Sequence, residues 1–395
     1  MINEKAYGLG SKRSAIRELF EYGRKRVSVV GKENVCDFSL GNPSVPAPQA
    51  LKETYLKLLE LPPLETHGYT SAAGCDELRA ALARNITDTF NTEARPQDFY
   101  VTCGAAAALT SALGALTADE NTEFIALAPF FPEYRCFAET SGAKLRVVDA
   151  DEKQFQIDFE KLENAININT QAVIVNSPNN PSGVVYTEST VKRLAKLLAS
   201  RSKEYGKPIY IISDEPYREL VYGGVKVPFI PEYYANTVVC YSYSKKLSIP
   251  GERIGYVYVP QDAEDSRRLF DAVAGAARAY GYVCAPSLVQ RVIAACVDVP
   301  PDLTVYETNR DILYKGLTEL GYFCAKPDGA FYLFVKTPEN DGEAFCERAK
   351  QKDLLVVPGA GFGCPGFVRI SYCVDTDVCI RSLPIFKELM KNSGK

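Results

Sequence analysis

Histidine is almost missing from this chain of 395 residues, which carries only His67. A single imidazole excludes a two-histidine metal site and leaves nothing to spare for a Ser-His-Asp triad. His67 itself precedes a Gly-Tyr turn and reads as structural. Any enzyme built from this chain therefore moves protons with another side chain. Long apolar runs are also absent, none approaching the roughly 20 residues that cross a bilayer. The first residues, MINEKAYGLGSKRSAIRELFEYG, are polar and charged and lack the apolar core of a signal peptide. A cytoplasmic protein with no membrane partner is the expectation. The net charge of −4 is spread along the chain without basic blocks, which argues against nucleic acid as a partner. The 12 cysteines form no CxxC pair. They sit singly in apolar surroundings such as VVCYS and IAACV, as small buried hydrophobes of a reducing compartment do. A metal site is not expected.

What remains is an ordinary globular composition, 46% hydrophobic and 24% charged, in a chain long enough for two domains. Residues 14–22 (SAIRELFEY) place Ile16, Leu19 and Phe20 on one face of an amphipathic helix. From about residue 76, helical and extended patterns alternate. TEFIALAP, AKLRVVDA, QAVIVNSP, PIYIISDE, NTVVCYSYS and RIGYVYVP are apolar and of strand length, with helical segments such as ESTVKRLAKLLASRSKEYG between several of them. The pattern predicts an α/β fold, a mainly parallel sheet with helices on both faces. After about residue 300 a long helix leads to shorter strands, GAFYLFVK and GFVRISYC, and a final helix, as in a smaller α+β domain. The expected division is an N-terminal arm with part of the small domain over 1–45, a large domain over 46–300 and a small domain over 301–395.

In an open parallel sheet, ligands bind beyond the carboxyl ends of the strands. The apolar runs deliver distinctive residues there. VTC ends on Gly104-Ala105-Ala106 at a helix start, where free N–H groups suit a phosphate. IALAP ends on Phe130-Phe131, flat enough to stack on a planar ring. VIVNSP leads to Asn176 and to Asn179-Asn180-Pro181-Ser182-Gly183. IYIIS delivers Asp214, an acid that needs a cationic or hydrogen-bonding partner if buried. VVCYSYS delivers Lys245, whose amine becomes nucleophilic when desolvation lowers its pKa. Singly, each has an ordinary reading: a helix start, a turn, an N-cap, or in Arg369 a salt-bridge partner. Together they make a phosphate cradle, a ring stack, an acid and an amine. That combination fits pyridoxal 5′-phosphate, whose aldehyde needs a lysine and whose ring nitrogen needs a carboxylate.

At this point the sequence resembles the fold-type-I pyridoxal-phosphate-dependent aminotransferases of class I/II, the aspartate-aminotransferase-like superfamily. The resemblance runs from about residue 14 to the C-terminal helix. It is carried in order by SLGNPSVPAP, GYTSAAGCDELRAALA, VTCGAAAAL, APFFPEY, NSPNNPSG, SDEPYREL, SYSKKLSIPGERIGY, PDGAFYLF and VVPGAGFGCPGFVRISY. In the family pattern, S-x-S-K is followed eight residues later by R-[IL]-G, and the first lysine forms the Schiff base. Here that lysine is Lys245, with Arg253 at the second landmark. The resemblance implies that Arg253, Ser242 and Ser244 bind the cofactor phosphate, with backbone donors from Gly104, Ala105 and Ala106. It implies that Phe131 stacks on the ring, that Asp214 pairs with the ring nitrogen, and that Tyr217 and Asn180 bond the phenolic oxygen. Tyr69 matches a tyrosine that reaches the phosphate of a neighbouring subunit, so a homodimer with shared active sites is implied. Arg369 matches the clamp for the substrate α-carboxylate, with Gly41 close to the same group and Asn180 shared between substrate and cofactor. Lys246 is left as a charge on the solvent side or just behind the site.

The implied activity is transfer of an amino group between an L-amino acid, of aspartate or aromatic type, and a 2-oxo acid such as 2-oxoglutarate. A dicarboxylic substrate needs a further cation for its distal group. Some aspartate-using relatives carry a lysine where this chain has Ala106; Lys12, Arg13, Arg17 and Arg278 are candidate replacements. Tyr280 and Tyr282 equally suit an aromatic side chain. The same scaffold also supports β-elimination, as in C–S lyases of the cystathionine type. A regulatory protein that keeps the fold is a second alternative, but such proteins carry an N-terminal helix-turn-helix domain for which no room is expected before the first family motif. A structural protein with a dead site is the third, which an intact Lys245, Asp214 and Arg369 disfavour.

Overall fold

Thirteen strands can be followed in the structure, a computed structural model that describes residues 1–11 and 15–391. Seven of them form the main sheet: β2 (Phe99–Thr102), β3 (Glu123–Leu127), β4 (Lys144–Val148), β5 (Thr170–Asn176), β6 (Tyr210–Asp214), β7 (Thr237–Ser242) and β8 (Gly255–Tyr258), in the spatial order β2-β8-β7-β6-β5-β3-β4. The pairings from β4 through to β7 are parallel, and only β8 runs against its neighbours. The expected mainly parallel sheet is present, with one reversed strand.

The continuous apolar runs of these strands follow from burial on both faces. Side chains alternate across a strand. Ala172, Ile174, Ile212 and Val238 pack on one face with Leu109 and Leu113 of the helix Ala105–Leu116 and Val273 of the helix Ser266–Ala279. Val173, Val175 and Ile211 point the other way, onto Val191, Leu194 and Leu198 of the helix Glu188–Tyr205. A strand covered on both sides has no polar face to show.

The remaining strands lie apart from this sheet. β1 (Cys36–Asp37) pairs in parallel with β11 (Leu354–Leu355), so the N-terminal segment is tied to the C-terminal region. β9 (Phe323–Cys324), β10 (Tyr332–Lys336), β12 (Val357–Pro358) and β13 (Phe367–Ser371) make a four-stranded antiparallel sheet in the order β12-β13-β10-β9. The amphipathic segment near the N-terminus is helical over Ala15–Val30. No helix among the described residues is long and apolar enough to cross a membrane. All twelve cysteines are free thiols, most of them buried.

Parallel topology brings the carboxyl ends of β2, β5, β6 and β7 to one edge. Asn176 pairs with Asp214 at the last step of β5 and β6. Ser242 at the end of β7 and Thr102 at the end of β2 both pair with Gly255 at the start of β8. Residues far apart in sequence thus end side by side.

Candidate active site

At this edge lies a cavity of about 280 Å³ between the main sheet and the C-terminal region. Its lining includes Gly41, Ala105, Ala106, Phe131, Asn180, Asp214, Tyr217, Ser242, Ser244, Lys245, Arg253 and Arg369. Of the residues expected to hold the cofactor or the substrate α-carboxylate, only Gly104 and Tyr69 lie off this lining. Gly104 is next to it, as N-cap of the helix Ala105–Leu116. Tyr69 is 98% exposed, on the outer surface of its own chain.

Lys245 projects from the one-turn helix Tyr243–Lys246 that follows β7. Ser242 caps that turn by accepting from the Ser244 N–H. The Lys245 Nζ donates to the Gly41 carbonyl at 2.7 Å. Burial pulls its pKa down to about 8, and the nearby guanidinium groups of Arg253 and Arg369 push in the same direction against the opposing influence of Cys373. Desolvation disfavours the charged form of a lysine, which keeps part of the amine neutral near pH 7. Gly41 is required by close approach: a Cβ there would collide with the Tyr332 hydroxyl.

Asp214 ends β6 and is 4% exposed. Its Oδ2 accepts from the Tyr134 hydroxyl at 2.5 Å, while Oδ1 has no partner. Burial raises its pKa to about 7; the Tyr134 bond opposes the shift, and the charge of Glu215 adds to it. Asn176 steadies the strand end by donating to the Asp214 carbonyl at 2.9 Å and accepting from the Asn180 N–H at 2.7 Å. In protein freed of cofactor, this carboxyl holds its proton more tightly folded than unfolded. Its contribution to stability is complete below about pH 4 and disappears as pH rises through 7, a loss of about 4 kcal/mol. The expected result is that cofactor-depleted wild type loses thermal stability between pH 4 and 7 relative to Asp214→Asn. Parallel melting curves across that range would refute it.

At the cradle, Gly104 has φ +84, and a Cβ there would lie 2.9 Å from the Arg253 guanidinium. The positive φ, more than the contact with the flexible guanidinium, is what suits glycine to this position. Arg253 donates to the Pro250 carbonyl at 2.9 Å and pairs with no carboxylate among the described residues. The Ser242 and Ser244 hydroxyls are 2.7 Å apart beside it. The hydroxyls, the guanidinium and the first N–H groups of the helix form an anion cradle.

Arg369 comes from the middle of β13 and is 2% exposed. It donates to the Ser39 carbonyl at 2.7 Å and to Asn180 Oδ1 at 3.2 Å, and its Nε has no partner. Its guanidinium lies 4.8 Å from the Tyr332 ring centre and 5.2 Å from that of Phe362. No acid faces it among the described residues, and burial lowers its pKa. A buried cation without an anion is costly unless a ligand supplies one.

Several contributors were not visible in the sequence. Tyr134 reaches Asp214 from the helix Glu133–Ser141, three residues beyond Phe131. Tyr332 on β10 meets the Tyr217 hydroxyl at 2.8 Å. Ile16, Leu40, Leu109, Pro216 and Pro250 also line the cavity. Arg17, Arg278, Tyr280 and Tyr282 do not line the cavity; Tyr280 packs instead against Gly114. Lys12 and Arg13 lie outside the described residues.

Lys246 is behind the site and buried, at 7% exposure. Its Nζ donates to the Val297 carbonyl at 2.6 Å and lies 3.9 Å from Glu219, which accepts from the Tyr241 hydroxyl. Adjacent residues on a single helical turn face different directions, so Lys245 meets the cavity and Lys246 the opposite side. Lys246→Met should destabilise the fold by about 1–3 kcal/mol through loss of this buried bond. Thermal melting checks it, and a melting point equal to wild type would contradict the anchoring role.

A parallel-sheet enzyme with a desolvated lysine, a strand-end acid and an anion cradle in one cavity belongs to the pyridoxal-phosphate class of chemistry. The chain is a member of the family described as aminotransferase class I and II, whose profile matches residues 33–382. It is 56% identical to an aminotransferase of Eubacterium rectale whose crystal structure superposes with a TM-score of 0.98 over 100% of both chains. It is 30% identical to an aspartate aminotransferase of Bacillus subtilis, over 93% of this chain and 94% of the relative. It is also 27% identical to aromatic-amino-acid aminotransferase 2 of Thermococcus litoralis, over 96% of both. The protein is thus a fold-type-I aminotransferase that uses pyridoxal 5′-phosphate. The cavity suits that group: an orphaned Asp214 oxygen for the ring nitrogen, the Arg253 cradle for the phosphate, and the Lys245 amine for the aldehyde.

Proposed function

We propose that Lys245 is the residue through which this protein moves an amino group between an L-amino acid, of aspartate or aromatic type, and a 2-oxo acid such as 2-oxoglutarate. The observation that carries the reading is Arg369, a buried guanidinium with no acidic partner among the described residues, in the same cavity as the desolvated Lys245 amine. A planar fork of that kind suits the α-carboxylate common to both substrates. Pyridoxal phosphate supplies an electrophilic aldehyde and a ring that accepts the electron pair left at the substrate Cα.

The remaining work falls to side chains of this protein. Arg253, Ser242, Ser244 and the N–H groups at Gly104, Ala105 and Ala106 hold the phosphate, and Phe131 supplies an aromatic wall for the ring. Asp214, ionised, holds a proton on the ring nitrogen. Tyr217 and Asn180 serve the phenolic oxygen, Asn180 while also bonded to Arg369. Arg369 and Gly41 fix the substrate carboxylate, which orients the Cα–H bond. Lys245, as a free amine, would take the Cα proton and deliver it to the former aldehyde carbon, two bonds from Cα. Burial, which draws its pKa down to about 8, favours the neutral amine that this role needs.

The proposal includes a homodimer in which Tyr69 serves the neighbouring site. Tyr69 is 98% exposed, and Leu56, Leu59, Leu61 and Leu64 form an exposed apolar stretch just before it. Large apolar side chains gathered in this way mark an interface. The test of the whole reading is a screen of amino donors against 2-oxoglutarate, following the spectrum of the bound cofactor. Release of pyruvate and ammonia from cystathionine without added oxo acid would favour β-elimination instead.

A further inference from the structure

Two buried phenols from different sheets meet inside the cavity. Tyr217 follows β6 of the main sheet, and Tyr332 opens β10 of the four-stranded sheet. Both line the cavity, and their hydroxyl oxygens are 2.8 Å apart. The rings stand edge to face, with centres 5.6 Å apart. Tyr332 is fixed from two further sides. In the register of β10 and β13 it pairs with Ser371 while Phe334 pairs with Arg369, so Tyr332 and Arg369 are diagonal neighbours on one sheet face. The Arg369 guanidinium accordingly lies 4.8 Å from the Tyr332 ring centre. On the other side, the missing side chain of Gly41 makes room for the Tyr332 hydroxyl. Burial raises the pKa of both phenols, that of Tyr332 to about 12, so each keeps its proton near neutral pH.

A phenol has one proton to give and lone pairs with which to accept. Only one proton fits between the two oxygens, so the direction of that bond decides what Tyr217 can do elsewhere. If Tyr217 donates to Tyr332, it has nothing to offer an anionic oxygen. If Tyr332 donates to Tyr217, the Tyr217 proton is free to point into the cavity. We infer that Tyr332 is a positioning residue whose hydroxyl donates to Tyr217 and so commits the Tyr217 proton to the phenolic oxygen of the cofactor. This rests on the reading that Tyr217 serves that oxygen, and deepens it. Hydrogen bonds in such a chain polarise one another, so each strengthens the next. A donor on the phenolic oxygen draws off negative charge that otherwise helps hold a proton on the Lys245 nitrogen once it is linked to the aldehyde. Tyr332 therefore lowers the pH at which that nitrogen gives up its proton, although it touches neither group.

The experiment is a pH titration of the absorbance of the lysine-linked cofactor, with no substrate present. It compares wild type, Tyr332→Phe, Tyr217→Phe and the double variant. Phenylalanine at 332 keeps the ring beside Arg369 and removes the hydroxyl alone. Tyr332→Phe should raise the titration midpoint by about half a unit or more, part of the effect of a hydrogen bond to a charged oxygen. Tyr217→Phe should raise it further. The double variant should titrate with Tyr217→Phe, because the Tyr332 hydroxyl acts through Tyr217 and has nothing left to act on. A merely structural tyrosine would leave the midpoint where it is. If Tyr217→Phe shifts the midpoint and Tyr332→Phe does not, the inference is overturned while the role of Tyr217 stands. A Tyr332→Phe shift that persists in the Tyr217→Phe background also overturns it, since the hydroxyl then acts by another route. A Tyr217→Phe protein that titrates as wild type would remove Tyr217 from the phenolic oxygen, and the inference with it. None of these outcomes depends on which amino acid reacts, so a failure of the transaminase reading shows separately, in the donor screen.

Discussion

Lys245→Ala is expected to lose the visible absorbance of the lysine-linked cofactor and to lower turnover by about three orders of magnitude or more. Two losses combine in that figure. The amine that attacks the aldehyde is gone, and so is the base that serves the Cα proton. Water does not replace either, because the cavity surrounds the amine with protein and draws its pKa down to about 8. The phosphate cradle is untouched by the change, since Arg253, Ser242 and Ser244 hold their places through bonds that do not involve Lys245. The variant should therefore still bind cofactor, but reversibly, and lose it on dialysis. Borohydride reduction followed by peptide mass mapping gives a second readout, with label on Lys245 in wild type and on neither lysine in the variant. The neighbouring lysine is the control. Lys246→Met should keep the absorbance while melting at lower temperature, because its amine is committed to the Val297 carbonyl. If absorbance instead vanished with Lys246 and survived without Lys245, the register of the turn after β7 would be wrong.

That pair of lysines shows how far the sequence alone reaches. The apolar runs and their helical spacers imply a buried parallel sheet, and such a sheet gathers the carboxyl ends of its strands. Asp214, Asn176 and Lys245 are legible for that reason, each being the polar residue on which an apolar run stops. Arg253, Ser242 and Arg369 needed the family pattern, because nothing local distinguishes them from ordinary surface or turn residues. What neither route revealed were contacts between distant segments. The Tyr134–Asp214 bond joins residues 80 apart in the chain, and the Lys245–Gly41 bond joins residues 204 apart. Such pairings depend on how separate segments pack over the sheet edge, and the hydrophobic period within one segment does not disclose which distant residue it meets. The same reason explains Tyr280, which lies against Gly114 rather than in the cavity. It explains Lys246 as well, since a charge pattern does not disclose that a backbone carbonyl waits behind the turn.

Arg369→Met should weaken substrate carboxylate binding by roughly 10²- to 10⁴-fold without lowering the melting temperature of the protein. The first half follows from the fork: two charge-assisted hydrogen bonds at about 1.5–3 kcal/mol each are lost with the guanidinium. The second half follows from burial. Arg369 is 2% exposed, it faces no acid among the described residues, and its Nε has no partner. Its bonds to Ser39 and Asn180 and its position between two aromatic rings offset only part of the cost of taking a charge out of water. Methionine fills a similar volume, accepts the aromatic contacts and carries no charge to desolvate. Stability and function thus pull in opposite directions at this position, as expected where a site is built for an absent anion. Arg369→Lys separates charge from geometry. It keeps the cation but not the planar fork, so affinity for an inert monocarboxylate should fall between the other two proteins. Calorimetric titration with that acid, alongside thermal melting, reads both quantities on the same samples. A methionine variant that binds the acid as wild type does would remove Arg369 from the substrate site. One that melts well below wild type would show that the guanidinium holds the fold together.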